Sequence, residues 1–173
     1  MIVRRAEPGD APALAALAAA VSAEPEGWLI GDEWRSAGDE RRYIRAVRRH
    51  PDAAVFVAEE EGEIAGRLSL GRDPHPASSH VADLGLMVDA RFRRRGVGRA
   101  LLDAAVAWAQ ESNVTKLELH VFPWNEPAIA LYEDFGFERE GYRRAHYRRP
   151  DCYADAVLMA YMIPDGEMRQ HPS

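Results

Sequence analysis

Between a strand and a helix the chain reads Val88-Asp89-Ala90-Arg91-Phe92-Arg93-Arg94-Arg95-Gly96-Val97-Gly98-Arg99. These residue types suit a phosphorylated ligand. The first amides of a helix have no partner inside it, and the helix dipole is positive there. Glycines let a ligand oxygen come close to the backbone, and arginines add full charges. Together they describe a pyrophosphate cradle. A Gly-x-Gly at a helix start is also a common tight turn, so the motif alone does not specify its ligand. Two other phosphate motifs fit poorly. A P-loop has Lys-Ser/Thr after its last glycine, and Gly98 is followed by Arg99-Ala100. A dinucleotide fingerprint has a small residue three positions beyond Gly98, where Leu101 stands.

The elements that must position this cradle follow from periodicity and punctuation. Residues 2–6 form a strand. Pro8-Gly9-Asp10 opens a helix with Leu14, Leu17 and Val21 at helical spacing, and Pro25 and Gly27 mark a loop. A second helix is expected over 32–50, with Trp34, Tyr43, Ile44 and Val47 on its apolar side. Strands at 54–59 and 64–70 flank a turn at Glu61-Gly62 and make a hairpin. Gly85, inside a strand over 81–88, suggests a bulge or a close backbone approach. Gly96 opens a long helix whose stripe is Val97, Leu101, Leu102, Ala105, Val106 and Ala109. A strand at 117–122 ends at Pro123. Asn125 caps the next helix, which Gly136 stops. Strands at 137–147 and 153–162 close the chain. The order β-α-α-β-β-β-α-β-α-β-β describes an α/β fold: one domain over 1–163, with a mixed, largely antiparallel sheet flanked by helices. Residues 164–173 read as a polar C-terminal tail.

Composition narrows the class. The chain has 173 residues, 47% hydrophobic and 29% charged, which suits one globular core. The single cysteine, Cys152, cannot form an internal disulfide, and no Cys/His spacing suits zinc. No metal is expected, and a reducing cytoplasm is the natural compartment. Arg4 and Arg5 precede an Ala-rich run, but Glu7, Pro8 and Asp10 interrupt any secretory signal. No apolar run approaches the roughly 20 residues of a membrane span. A net charge of −6 argues against a general nucleic-acid binder. The basic charge is local: one patch at Arg91–Arg99, another at Arg143, Arg144, Arg148 and Arg149. Oligomeric state stays open, a homodimer included.

Arg93-x-x-Gly96-x-Gly98 resembles the acetyl-CoA signature of the GNAT superfamily of N-acetyltransferases, and Leu84-x-Leu86-x-Val88 matches its fourth strand. Asn125-Glu126-Pro127-Ala128-Ile129-Ala130-Leu131-Tyr132, followed by Gly136-Phe137, is similar to the family's Asn-x-x-Ala-x-x-Leu-Tyr-x-x-x-Gly-Phe. Two motifs at the right separation are far more specific than either alone. The chain's ending, Glu140-Gly141 with Tyr153-x-Asp155-x-x-x-Met159, resembles a subgroup that includes bacterial amino-acid, polyamine and ribosomal-protein acetyltransferases. The family often has glycine near position 151, where this chain has Asp151.

The resemblance implies that Arg93, Arg94, Arg95, Gly96, Val97, Gly98 and Arg99 hold the pyrophosphate of acetyl-CoA. It implies that the backbone of Leu86, Met87 and Val88 pairs with the pantetheine arm where the fourth and fifth strands splay, a gap that a bulge at Gly85 would suit. Asn125, Ala128 and Tyr132 complete that site. Acetyl transfer needs a neutral amine, a polarised carbonyl and a proton for the departing thiolate. Tyr132 occupies the position of the family's acid. Asp83, which alternates with Gly85 and Met87, is the first candidate for the base, with His80 and His120 as alternatives. The acceptor is expected among the first two helices and the closing hairpin, with Trp28, Glu33, Trp34, Asp83 and His120 as its contacts. A small-molecule amine such as an amino acid or polyamine is the expected acceptor. The rivals are a protein N-terminus or ribosomal protein, and a non-catalytic acetyl-CoA-binding module.

Overall fold

In a computed structural model the described residues are 1–30 and 34–164. The elements are β1 (Ile2–Arg5), α1 (Ala11–Ser22), α2 (Ala37–Val47), β2 (Ala53–Glu60), β3 (Glu63–Arg72), β4 (Val81–Val88), α3 (Val97–Glu111), β5 (Lys116–Val121), α4 (Glu126–Phe135), β6 (Glu138–Arg148) and β7 (Tyr153–Met162). They follow the order read from the sequence, and the α/β architecture is as expected. The seven strands lie in the order β1-β2-β3-β4-β5-β7-β6. Every neighbouring pair is antiparallel except β4 and β5.

Strand alternation divides the core into two layers. On one face Val55, Val57 and Met87 meet Leu14, Leu17 and Val21 of α1 and Ile44 and Val47 of α2. On the other, Leu68, Leu84, Leu117, Leu119 and Met159 meet Val97, Leu101, Leu102 and Trp108 of α3, with Ile129 and Tyr132 of α4. The β2–β3 turn places Glu61 at φ 55° and Gly62 at φ 80°. Two left-handed residues in succession match the twist of a tight hairpin.

Two local expectations are corrected. The second helix begins at Ala37, not at 32, because Ser36 caps it by accepting from the Asp39 amide at 3.1 Å. Trp34 and Arg35 therefore precede the helix, and positions 32 and 33 lie outside the described residues. Gly85 is not a bulge. The β3–β4 ladder runs in unbroken register from Gly66 opposite Val88 to Arg72 opposite Ala82. A Cβ at Gly85 would meet only the Ser69 hydroxyl, at an ordinary 3.5 Å.

The feature that makes a site is a divergence of strands. β4 pairs with β5 only at Val81, Ala82 and Asp83. Beyond Asp83, β5 keeps its pairing with β7 along its whole length, from Lys116–Met162 to Val121–Val157. Residues 84–88 are left with β3 on one side and, among the described residues, no strand on the other. Backbone amides and carbonyls along a bare edge need partners.

Candidate active site

The cradle sits at the mouth of that gap. Gly96, at φ +83°, turns the chain into α3, a conformation that favours glycine. The first hydrogen bond of α3 runs from the Ala100 amide to the Gly96 carbonyl at 3.0 Å, so the amides of residues 96–99 have no partner within the helix. Asp89, buried at the end of β4, accepts from the Arg91 amide at 2.9 Å and shapes the preceding turn. A cleft of about 390 Å³ runs from here along residues 86–88 to α4. Among its walls are Arg93, Arg94, Gly96, Val97, Gly98, Arg99, Asn125, Ala128 and Tyr132. The cleft thus gathers every cofactor residue expected from the sequence except Arg95.

The arginines divide by partner. Arg91 pairs with Asp89 and Glu63, both within 2.9 Å. Arg95 pairs with Glu61 at 2.8 Å and does not line the cleft. Arg93 grips Glu24 with two hydrogen bonds of 2.6 and 2.7 Å and donates to the Val88 carbonyl at 3.1 Å. Its guanidinium organises the loop, while Arg94 and Arg99 line the cleft with no acidic partner among the described residues. Gly98 has a reason the sequence did not show. A Cβ there would stand 2.6 Å from the Leu131 Cδ2, so α3 and α4 touch through this glycine.

Tyr132 reaches the gap from the α4 side. It is 6% exposed, its ring packs on Phe137 at 5.5 Å, and burial raises its pKa above that of a free phenol. Its hydroxyl has no hydrogen-bond partner among the described residues. Asn125 caps α4 through its Oδ1, which accepts from the Ala128 amide at 3.3 Å, and also lines the cleft.

The acceptor-side candidates lie on the opposite face of the sheet. Asp83 stands beside Glu118 in the parallel pair, and Glu118 and His120 share that face. Desolvation in the groove, then the nearby Glu118 carboxylate, pushes Asp83 up to about 6. His120 Nδ1 lies 2.6 Å from the Tyr147 hydroxyl, and its ring meets that of His146 edge-on at 5.3 Å. Burial, then Arg143 and His146, holds His120 below the ordinary imidazole value. Glu118 has no local signature, because only the β4–β5 register brings it to Asp83. A carboxylate on this face and a phenol on the other flank a gap lined by backbone amides, an arrangement suited to moving protons about a reacting carbonyl.

A roof closes over the gap. The Trp28 indole donates to Glu24 at 2.7 Å, so Trp28 and Leu29 line the cleft. Trp124 donates to the Glu26 carbonyl at 3.0 Å, and Arg149 donates to the Leu29 carbonyl at 3.5 Å. With Arg93 on Glu24, residues 24–29 are fastened to the cradle, to the β5–α4 loop and to the closing hairpin. Trp34 does not join this wall. Its indole lies over the guanidinium of Arg67, 5.0 Å away, beside a buried Arg67–Glu40 pair. Glu33, expected at the acceptor, lies outside the described residues.

The sequence profile of the acetyltransferase (GNAT) family matches residues 15–137. An L-amino acid N-acetyltransferase, AaaT of Escherichia coli K12, is 33% identical over 161 residues, covering 92% of this chain and 96% of the relative. The ribosomal protein bS18-alanine N-acetyltransferase of the same organism is 40% identical over 78 residues, covering 45% of this chain and 53% of that one. The structure of yncA from Salmonella typhimurium with its cofactor acetyl-CoA superposes with a TM-score of 0.85 at 19% identity, covering 98% of both chains.

Proposed function

The chain belongs to the acetyltransferase (GNAT) family of acetyl-CoA-dependent N-acetyltransferases, and we propose that it acetylates the primary amine of a small metabolite, an amino acid or a polyamine. The observation that carries this reading is the roof. Residues 24–29, fastened at Glu24, Glu26 and Leu29, narrow the approach to the gap and suit a small acceptor better than a folded chain. The likeness to an enzyme acting on L-amino acids supports it.

Acetyl-CoA supplies the activated acetyl thioester. The free amides at the start of α3, with Arg94 and Arg99, hold its pyrophosphate, and the bare edge of residues 86–88 pairs with its pantetheine arm. No metal takes part, since arginines and amides provide the positive charge. A backbone amide at Met87 or Val88 polarises the thioester carbonyl. Asp83, at about 6, is ionised at neutral pH and is a stronger base than an ordinary carboxylate. An amine near ~10.4 is neutral only as a small fraction at about pH 7; that fraction attacks the acetyl carbon, and the N–H acidity gained as the bond forms lets Asp83 take the proton. Tyr132 returns a proton to the thiolate. Burial keeps the phenol protonated but makes it a weaker acid, so position rather than acidity equips it for this step. A reducing cytoplasm suits a chain with one cysteine.

A second reading, acetylation of a protein N-terminus, is favoured by the likeness to the bS18-alanine enzyme over 78 residues. A library of amines and N-terminal peptides, assayed by release of free CoA thiol, separates the readings. Turnover of amino acids or polyamines is expected. Turnover of peptides alone would establish the second reading. Binding of acetyl-CoA with no turnover of any amine would leave a non-catalytic module.

A further inference from the structure

The closing hairpin is out of step with itself. Arg143 stands opposite Ala156 and Tyr147 opposite Ala154, so β6 advances four residues while β7 advances two. The surplus is taken up around Ala145, whose φ of 49° is left-handed, a region a residue with a Cβ rarely enters. One side chain holds both flanks of this bulge. The Asp155 Oδ1 accepts from the Ala145 amide at 2.6 Å, and its Oδ2 accepts from the Tyr142 hydroxyl at 2.7 Å. In a regular ladder Ala145 would occupy the place opposite Ala154. Tyr147 would then lie two residues further along, a displacement of about 6–7 Å. Its 2.6 Å contact with His120 exists only because the bulge exists.

We propose that Asp155 is a positioning residue for the acceptor side of the site: by holding the β6 bulge it aims the Tyr147 hydroxyl at His120 and fixes that imidazole in the groove beside Asp83. This rests on the groove being the acceptor site. The groups that face His120 are Glu118 on β5 and Arg143, His146 and Tyr147 on β6, while Asp83 on β4 acts on Glu118, Arg143 and Tyr147 of the same groove. Three of the four that face His120 are delivered by the bulged strand. The hydroxyl on Nδ1 also sets which imidazole nitrogen faces the acceptor.

The test is a nitrogen-15 titration of His120 in the full chain, alongside steady-state kinetics. In Asp155→Ala the His120 midpoint, depressed in the native protein, moves up toward about 6.5. The KM for the acceptor rises roughly tenfold or more while the KM for acetyl-CoA stays, because positioning serves one substrate only. Asp155→Asn retains both hydrogen bonds, its amide donating to the Tyr142 oxygen, and behaves as the native chain. Tyr147→Phe, which leaves the bulge intact, alters the His120 tautomer balance and the acceptor KM. A folded Asp155→Ala protein with native titration and native acceptor KM overturns the proposal. If that variant does not fold, a native-like Tyr147→Phe or an Asp155→Asn that fails to preserve the titration overturns it. The titration needs no acceptor, so a responding His120 in a protein that acetylates nothing would sink the proposed function while leaving the coupling of the bulge to His120 in place.

Discussion

At the scale of the residue, the proposed mechanism handles two protons from opposite faces of the sheet. Tyr132→Phe keeps the ring against Phe137 and removes only the hydroxyl. Turnover is expected to fall about 10²–10⁴-fold, in kcat and kcat/KM together, with melting temperature and acetyl-CoA affinity nearly unchanged. Near-native single-turnover rates would rule it out as the acid. Asp83 has a pH signature. With its pKa raised from 3.8 to about 6, the proposed base is available only above that value, so native kcat/KM is expected to climb between about pH 5 and 7. Asp83→Asn loses that limb, and its deficit is greatest from about pH 6 up to the pKa of the amine. The same shift bears on stability. A raised pKa means that the folded carboxyl contributes most when protonated, below 3.8, and that this contribution is lost as pH rises through 6. Asp83→Asn is therefore expected to melt higher than the native chain at pH 7, with the gap closing near about pH 4. Calorimetric scans at both pH values check the sign.

At the scale of the element, the cradle depends on how α3 meets α4. Gly98→Ala drives a Cβ to within 2.6 Å of the Leu131 Cδ2 and must displace Leu131, which sits on the helix that also carries Asn125 and Tyr132. The atom in the way is the far end of the half-buried Leu131 side chain, so the cost lies at the low end of the roughly 1–3 kcal/mol of overpacking. Acetyl-CoA affinity should fall with it. Adding Leu131→Ala makes room, so the double variant should bind acetyl-CoA more tightly than Gly98→Ala alone. A strictly additive loss would mean that the two helices do not communicate through this contact. The arginines sort by the same geometry. Arg94→Ala and Arg99→Ala should weaken acetyl-CoA binding in a salt-dependent way, whereas Arg95→Ala, already paired with Glu61, should change it little. Titration calorimetry at two ionic strengths distinguishes them.

At the scale of the molecule, a ligand that fills the gap would bridge the open half of β4 to β5. Acetyl-CoA at about one hundred times its Kd should stabilise the native state by about 2.7 kcal/mol, which for a chain of this length is roughly 5–10 °C in Tm. The increment should be the same with EDTA present. A shift that vanishes on chelation would show that a metal completes the cradle. No helix among the described residues is long and apolar enough to cross a membrane. The acidic balance of the chain, −6, coexists with cationic walls in the cleft because the cradle's surplus arginines are matched locally by Asp89, Glu63, Glu61 and Glu24.

Local information determined most of the elements and the cofactor half of the site. The period of Leu101, Leu102 and Ala105, the Asn125 cap and the Gly96 turn are all written within a few residues of where they act. So the α/β order, the cradle and the place of Tyr132 were legible. The start of α2 was not legible from its apolar residues, because Trp34 lies off the face of Ile44 and Val47 and the Ser36 cap decides where the helix begins. Gly85 read as a bulge, but whether a strand bulges depends on its partner's register, and β3 matches it residue for residue. On the proposed acceptor side, Asp83 and His120 could be named from the sequence, but their partners were decided by tertiary structure. Glu118 meets Asp83 across a parallel pair, Arg93 is claimed by Glu24 from α1's end, and Tyr147 reaches His120 through a slip of two residues on β6. Each of these is a pairing between segments distant in sequence. No propensity or spacing encodes which register wins, because that is settled by the packing of the whole sheet.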